Sequence, residues 1–385
     1  MSVKRLQADG AACKPALQKP KVRDQNYEYL AESSPKDARW DPLKVNSRRM
    51  AAALAAAEDL RGRGERMHPC ADLLTFALKK AEDFQSTGEL RFHLKHASFC
   101  RDRMCETCQM LRSRTWQSQF RKLAPSLLKQ YPGARWLVLT LTVKNPDVTK
   151  TRETLHEMNK AWARLIRRKE FRDVLGWIRA TEITRGGASS HGARFKNHRQ
   201  KPRVVDNTSH PHFHVLMMVS SQYFKTRYIS QAKWLKAWQE CVRDDAITQV
   251  DIRALKPRKG HSEDPEGDGL GWLMAGALEV LKYTSKAVDL LPAKEPKHAG
   301  PGVLDSVLWV QELARQIRAL RFMMTGGVLK DAFRDIDQLT DAELIHAADE
   351  EETPDDEEAQ KLSFGFSGEA KRYRRRKRSS DGNRT

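Results

Sequence analysis

Apolar and polar positions repeat along this chain with a period that changes several times. Residues 46–61 (NSRRMAAALAAAEDLR) carry alanine and leucine at helical spacing, with Asn46 or Ser47 available as a cap. A second amphipathic stretch covers about 109–130, where Pro125 predicts a kink or break before Pro132 and Gly133 stop it. The period then shortens. Residues 135–143 (RWLVLTLTV) are β-branched and apolar and end at Asn145 and Pro146. Residues 177–184 (WIRATEIT), 212–219 (HFHVLMMV) and 249–255 (QVDIRAL) read as further strands. Helical spacing separates the strands at 150–169 and 230–243, and returns at 270–290 and 305–323, with a Gly/Asp/Glu loop at 259–269. The second and third strands are consecutive, which predicts an antiparallel pair joined by a long mobile basic loop.

Strands separated by helices around such a pair predict an α+β fold, a central antiparallel sheet with packed helices. A helical, cysteine-containing region is expected at 46–132, the sheet domain at 133–325, and charged disordered tails on either side. Residues 1–45 read as a disordered basic arm. Residues 326–385 read as a helix followed by an acidic block, DEEETPDDEE (349–358), and a basic block, KRYRRRKR (371–378). Each block is expected to be unfolded by self-repulsion. There is no internal repeat.

Composition narrows the partner. The 385 residues carry a formal net charge of +19, an imbalance that an anionic polymer relieves, nucleic acid being the commonest. A membrane is the rival, but no apolar run reaches the roughly 18 residues of a spanning helix, and the basic amino terminus lacks a signal-peptide core. The expectation is a cytosolic protein that works without a membrane. Among the six cysteines, Cys100, Cys105 and Cys108 cluster, which in a reducing compartment indicates metal binding or burial rather than disulfides.

The histidine strand carries the strongest chemical signal. Alternate strand residues share a face, so His212 and His214 present two imidazoles about 7 Å apart at Cα. A lone His-x-His is as readily a surface pair on an edge strand; a site needs a third ligand and a nucleophile. Glu182, on the preceding strand, and His210, on the same face at the strand mouth, are the two candidates for the ligand. Glu182 is preferred, because a carboxylate hardens the site toward Mg²⁺ or Mn²⁺ and leaves positions open for water and phosphate. Within GALEVLKYTSKAVDL (276–290), Glu279, Tyr283 and Lys286 lie on one helical face. A tyrosine oxygen can attack phosphorus, with Lys286 offsetting the phenolate charge and Glu279 acting as a base. The same residues also suit an ordinary amphipathic helix. Cys100, Cys105 and Cys108 are one thiolate short of a structural zinc site, which Cys70, His93 or His96 could complete. Arg112, Arg114 and Lys122 follow as candidate phosphate contacts. In the basic block, Arg374, Arg375, Arg376 and Lys377 offer salt-dependent, sequence-independent DNA affinity.

In this order the motifs resemble the plasmid rolling-circle replication initiators, within the broader family of endonucleases named for their His-hydrophobic-His motif. The resemblance covers roughly residues 95–290: CRDRMCETC (100–108), LVLTLTVKN (137–145), ATEIT followed by HPHFHVLMMV, VDIRALKP (250–257) and EVLKYTSK (279–286). It implies that 133–325 is a metal-dependent, site-specific endonuclease and strand-transferase domain. The metal-binding histidines would be His212 and His214, and the nucleophile Tyr283, left covalently joined to the 5′ phosphate. Glu279 occupies the position of a glutamate that, in a single-tyrosine branch, promotes the terminating hydrolysis. Double-stranded origin DNA, single-stranded DNA and a host helicase are the implied partners. Relaxases resemble the chain less, because their tyrosine precedes the histidines, and single-tyrosine transposases are shorter. A non-catalytic DNA-binding zinc protein is the third reading.

Overall fold

In the computed structural model, the described residues are 27–80, 90–186, 206–255, 270–281, 290–291, 304–330, 339–348 and 360–376. Two helices, α1 (Trp40–Ala55) and α2 (Arg61–Met67), lead into strands β1 (Leu73–Lys80) and β2 (Leu90–His96). The long helix α3 (Glu106–Gln130) follows, then β3 (Arg135–Thr142) and α4 (Thr151–Leu165). Strands β4 (Val174–Arg185) and β5 (Ser209–Val219) precede α5 (Gln231–Val242), β6 (Val250–Ala254) and α6 (Gly271–Leu281). The chain continues through α7 (Ser306–Gln316), β7 (Met323–Gly327), α8 (Asp341–Ala348), β8 (Lys361–Ser367) and β9 (Arg372–Arg375).

The result is an α+β architecture with two antiparallel sheets. The larger has the order β6-β3-β5-β4-β7, so β5, the most continuously apolar strand, is central. Alternation along β5 sorts its side chains onto two covered faces. Phe213 packs against Trp162 of α4 and Trp238 of α5, with ring centroids 6.5 and 6.4 Å apart. The opposite face carries Trp136, which meets Phe120 of α3 edge-on at 5.8 Å. On that same side, Ser113 of α3 donates to the Leu281 carbonyl at the end of α6 (2.6 Å). Arg179 lies wholly inside the α4 side, 3.9 Å above the Phe213 ring and donating to Asn159 Oδ1 at 2.6 Å. Burial draws its pKa down to about 9.

Three local expectations are corrected and one is narrowed. Of the kink or break expected at Pro125, the break does not occur, helix α3 running continuously through it; buried Ala124 and Leu127 on either side keep both halves against the core. Residues 46–132 are not purely helical, because β1 and β2 belong to the smaller sheet, ordered β2-β1-β8-β9. The arm is shorter than 1–45: Leu30 is buried, and α1 begins at Trp40 and buries Trp40 and Leu43. Part of the basic block is a strand rather than an unfolded tail. Tyr373 is fully buried in β9, while Arg372 and Arg375 find Glu32 (3.0 Å) and Glu28 (2.6 Å), so the charges that repel one another in sequence are neutralised in space. The acidic block 349–358 lies outside the described residues.

Candidate metal centres

The register of β4 and β5 pairs Glu182 with His212 and Ala180 with His214. Paired residues share a face, so the carboxylate stands beside both imidazoles. Glu182 Oε2 lies 3.2 Å from His212 Nε2 and 2.8 Å from His214 Nε2. The far side of each ring is also held. His212 Nδ1 is 3.2 Å from the His210 carbonyl, to which it donates, and His214 Nδ1 is 3.2 Å from Thr140 Oγ1 on β3. This is the arrangement in which outer partners orient metal-ligating histidines. With the His212 proton on Nδ1, its Nε2 lone pair faces a carboxylate oxygen, a pairing that a proton or a cation between them resolves. Burial pushes the Glu182 carboxyl up, but hydrogen bonds to His212 and His214 outweigh it and hold the group well below the usual carboxylate range. The donor set therefore fits a divalent cation.

His210 is placed differently. Its Nδ1 meets Asn145 Oδ1 at 2.6 Å, although its ring lies 5.0 Å from that of His212. Glu279, on α6, forms an ion pair with Arg253 of β6, and Arg253 Nε lies 3.6 Å from Asp251. Through β3, Asp251 pairs with Thr140 and Arg253 with Val138, the residues opposite His214 and Leu216. Glu279 is thus anchored on the face that bears Glu182, His212 and His214. Tyr283 and Lys286 lie outside the described residues. Thr140, Asn145 and Arg253 were not singled out from sequence. The signal available was a period-two polar row, Thr140 with Thr142 and Asp251 with Arg253, at the ends of otherwise apolar strands.

The cysteines form a second cluster. Cys70, in the turn before β1, joins Cys100, Cys105 and Cys108, all four sulfurs lying within 4.8 Å of one another. The Cys70–Cys108 and Cys100–Cys108 separations are 3.6 Å, and Cys70–Cys105 is 3.7 Å. Tetrahedral zinc with Zn–S near 2.3 Å separates its sulfurs by about 3.8 Å, so the set fits such an ion. Contacts from the Cys100, Cys108 and Cys70 thiols hold Cys105 well below the ordinary thiol range. His93 and His96 lie on β2, opposite Ala77 and Thr75, and stand outside the cluster. Fully buried Lys44 braces the Cys70 turn, donating to the His68 and Cys70 carbonyls at 2.7 and 2.5 Å. Arg112 is buried and donates to the Arg101 carbonyl (2.7 Å), so it supports the cysteine loop rather than a surface. Arg374 stacks over Tyr27 at 4.6 Å, and Lys377 lies outside the described residues.

A sheet centre of two buried histidines and a carboxylate, with helix α6 anchored over it by the Glu279–Arg253 pair, is a set of side chains able to hold a divalent cation. The match to known proteins is more particular. Residues 91–374 match the family described as replication protein. A protein rep of Lactiplantibacillus plantarum is 30% identical over 301 residues, 74% of this chain and 85% of the relative. A protein rep of Bacillus amyloliquefaciens is 30% identical over 332 residues, 83% of this chain and 88% of the relative. One from Streptococcus pneumoniae is 31% identical over 260 residues, 66% and 70% of the two chains. The chain belongs to this replication-protein family, that of the plasmid rolling-circle replication initiators. No solved structure matches it.

Proposed function

We propose that this initiator starts rolling-circle replication by cutting one strand at the plasmid origin with Tyr283 and remaining joined to the 5′ phosphate. The observation that carries the reading is the seat of α6. Its last residue, Leu281, stands just before Lys282 and Tyr283, and the Glu279–Arg253 pair and the Ser113 hydrogen bond hold the helix over the face bearing Glu182, His212 and His214. The Tyr283 oxygen attacks phosphorus, the bond to the 3′ oxygen breaks, and that oxygen leaves as a hydroxyl after taking a proton. The phosphotyrosine conserves the ester for religation. Lys286, three residues on, offsets the phenolate charge. Glu279 accepts a proton from water in the terminating hydrolysis. Glu182, His212 and His214 would hold Mg²⁺ or Mn²⁺, which draws negative charge from the scissile phosphate. The four cysteines would hold zinc as a closed structural site. Arg374, Arg375, Arg376 and Lys377 add backbone contacts to origin DNA. A host helicase unwinds ahead of the fork, and the work is done in the cytoplasm.

Nicking of supercoiled origin DNA, with and without chelator, tests this reading. Tyr283→Phe keeps the ring but removes the attacking oxygen, so nicking and the denaturation-resistant protein–DNA adduct should both vanish. Glu279→Ala should still nick and form the adduct, but products longer than one unit should accumulate as termination fails. An adduct formed by Tyr283→Phe overturns the nucleophile; normal termination by Glu279→Ala returns that residue to a structural ion pair.

A further inference from the structure

We propose that the end of the large sheet remote from the histidines is a docking platform for single-stranded DNA, built from the exposed rings of Phe224 and Tyr228 beside a lysine-rich cleft. Strand β5 leaves the sheet at Val219 and turns through one helical turn, Gln222–Lys225. Tyr223 anchors this turn inside the protein. Its hydroxyl donates to the Ile229 carbonyl (3.2 Å) and accepts from Trp234 Nε1 (3.0 Å). The neighbouring rings face outward instead, Phe224 40% and Tyr228 58% exposed, their centroids 6.2 Å apart and tilted by 34°. Each also packs on Tyr223, at 5.0 and 6.0 Å, so the pair is supported from beneath. A single exposed aromatic needs no explanation. Two held outward on a buried anchor, beside a cationic cleft, form a surface with stated chemistry.

Tyr228 itself lines that cleft, which encloses about 460 Å³ between the segment preceding β4 and helix α5. Six cationic side chains line it against three acidic ones, an excess of three positive charges. The acids are already matched. Arg168 meets Glu170 at 3.0 Å and Glu240 at 2.8 Å, and Arg227 meets Asp173 at 3.0 Å. The surplus falls on Lys169, Arg172, Lys233 and Lys236, all exposed. Aromatic faces that stack bases, next to cations that follow a phosphate backbone, are the two parts of sequence-tolerant single-strand recognition. A duplex hides its base faces and leaves the rings without a ligand. The end of β5, Val219, lies seven residues from His212, about 23 Å at ~3.3 Å per residue. Phe224 and Tyr228 follow it, and the cleft lies on the α4–α5 side of the sheet, opposite the histidines, so a strand held at the metal centre reaches the platform by passing the end of the sheet. Only the source of the strand, displaced at the origin, rests on the replication reading.

Fluorescence anisotropy on the full chain, with labelled oligothymidylate and a duplex of equal length, tests the platform. Phe224→Ala with Tyr228→Ala should weaken oligothymidylate binding roughly 10- to 100-fold while duplex affinity stays within about twofold. Lys233→Gln with Lys236→Gln, on an exposed helix face, should lower the slope of log affinity against log salt by about 1.4. Thermal melts identify any variant that fails to fold, and Phe224→Tyr should retain binding. Single-strand affinity unchanged in both double variants overturns the proposal, as do equal losses on single strand and duplex. Replication lost in cells without a change in single-strand affinity also overturns it, assigning the surface to a protein partner. Tyr283→Phe should bind oligothymidylate normally, so failure of the cutting reading and failure of the platform are separate results.

Discussion

Glu182 faces two imidazole nitrogens from a neighbouring strand, and its negative charge separates a hard, cation-accepting centre from a neutral pair of histidines. His210, held by Asn145, contributes a ring at the edge of that centre. Glu182→Ala should therefore weaken Mn²⁺ binding by roughly 100-fold and His210→Ala by roughly tenfold or less. Manganese titration of both variants checks this, and the reverse order moves the third ligand to His210. Lys44 carries a different load. It is fully buried, satisfies two backbone carbonyls beside Cys70, and pairs with Asp72 at 2.6 Å. Lys44→Met leaves both carbonyls short of a donor and should cost about 2–4 kcal/mol in urea unfolding. The Asp72 contribution has a pH sign. Burial pushes its carboxyl up, but Lys44 and Arg48 outweigh that and hold the folded value below the unfolded one. Its stabilisation is thus present above the unfolded pKa near 3.9 and is lost as pH falls through the folded value. Asp72→Asn should be less stable than the native protein at neutral pH and indistinguishable from it in strong acid. Because Asp72 is 40% exposed, the neutral-pH difference should be about 1 kcal/mol or less.

Among the elements, the β8–β9 hairpin is the one whose composition most misrepresents its role. Phe364 and Tyr373 are wholly buried and Leu362 nearly so, and together they close the small sheet over β1. Each such side chain contributes about 1.5–3 kcal/mol by burial. Three of them approach the net stability of a domain, about 5–15 kcal/mol. A chain ending at Gln360 should therefore lose its cooperative thermal transition for the cysteine-bearing region, seen as rapid limited proteolysis there. A chain ending at Arg376 should melt like the full chain. If the shorter chain kept its melting profile, the hairpin would be an ornament on a sheet that stands without it.

Across the whole molecule, the two candidate metal centres sit on different supports. One is on the large sheet; the other ties α3 to the turn before β1. Helix α7 links them: Asp305 caps it, Arg185 of β4 donates to Ser306 and to the Leu304 carbonyl, and Arg63 of α2 donates to the Ala314 carbonyl. Chemistry and binding should therefore separate. Replacing both His212 and His214 by Ala should abolish cleavage and leave most duplex affinity, because Lys and Arg contacts to phosphate supply it. Gel-shift and nicking assays on one preparation decide the point, and undiminished cleavage would remove the histidines from the site.

Some of this protein is local in origin. The apolar, β-branched runs at 137–143, 177–184 and 212–219 are enough to specify strands, and the succession of the last two in sequence predicts their antiparallel pairing. Strand alternation placed His210, His212 and His214 together on one face, and the helical spacing of Glu279 from Tyr283 is equally local. Other features depend on contacts between distant parts of the chain, which no window of sequence contains. Cys70 reaches the cluster from 30 residues before Cys100, and Arg253 meets Glu279 from 26 residues away in sequence. Residues 361–367 and 372–375 become strands because β1 offers an edge and Glu28 and Glu32 offer countercharge. A charge run reads as unfolded when only its own repulsion is counted. Tertiary structure reverses that reading by supplying the opposite charges and an apolar seat for Tyr373.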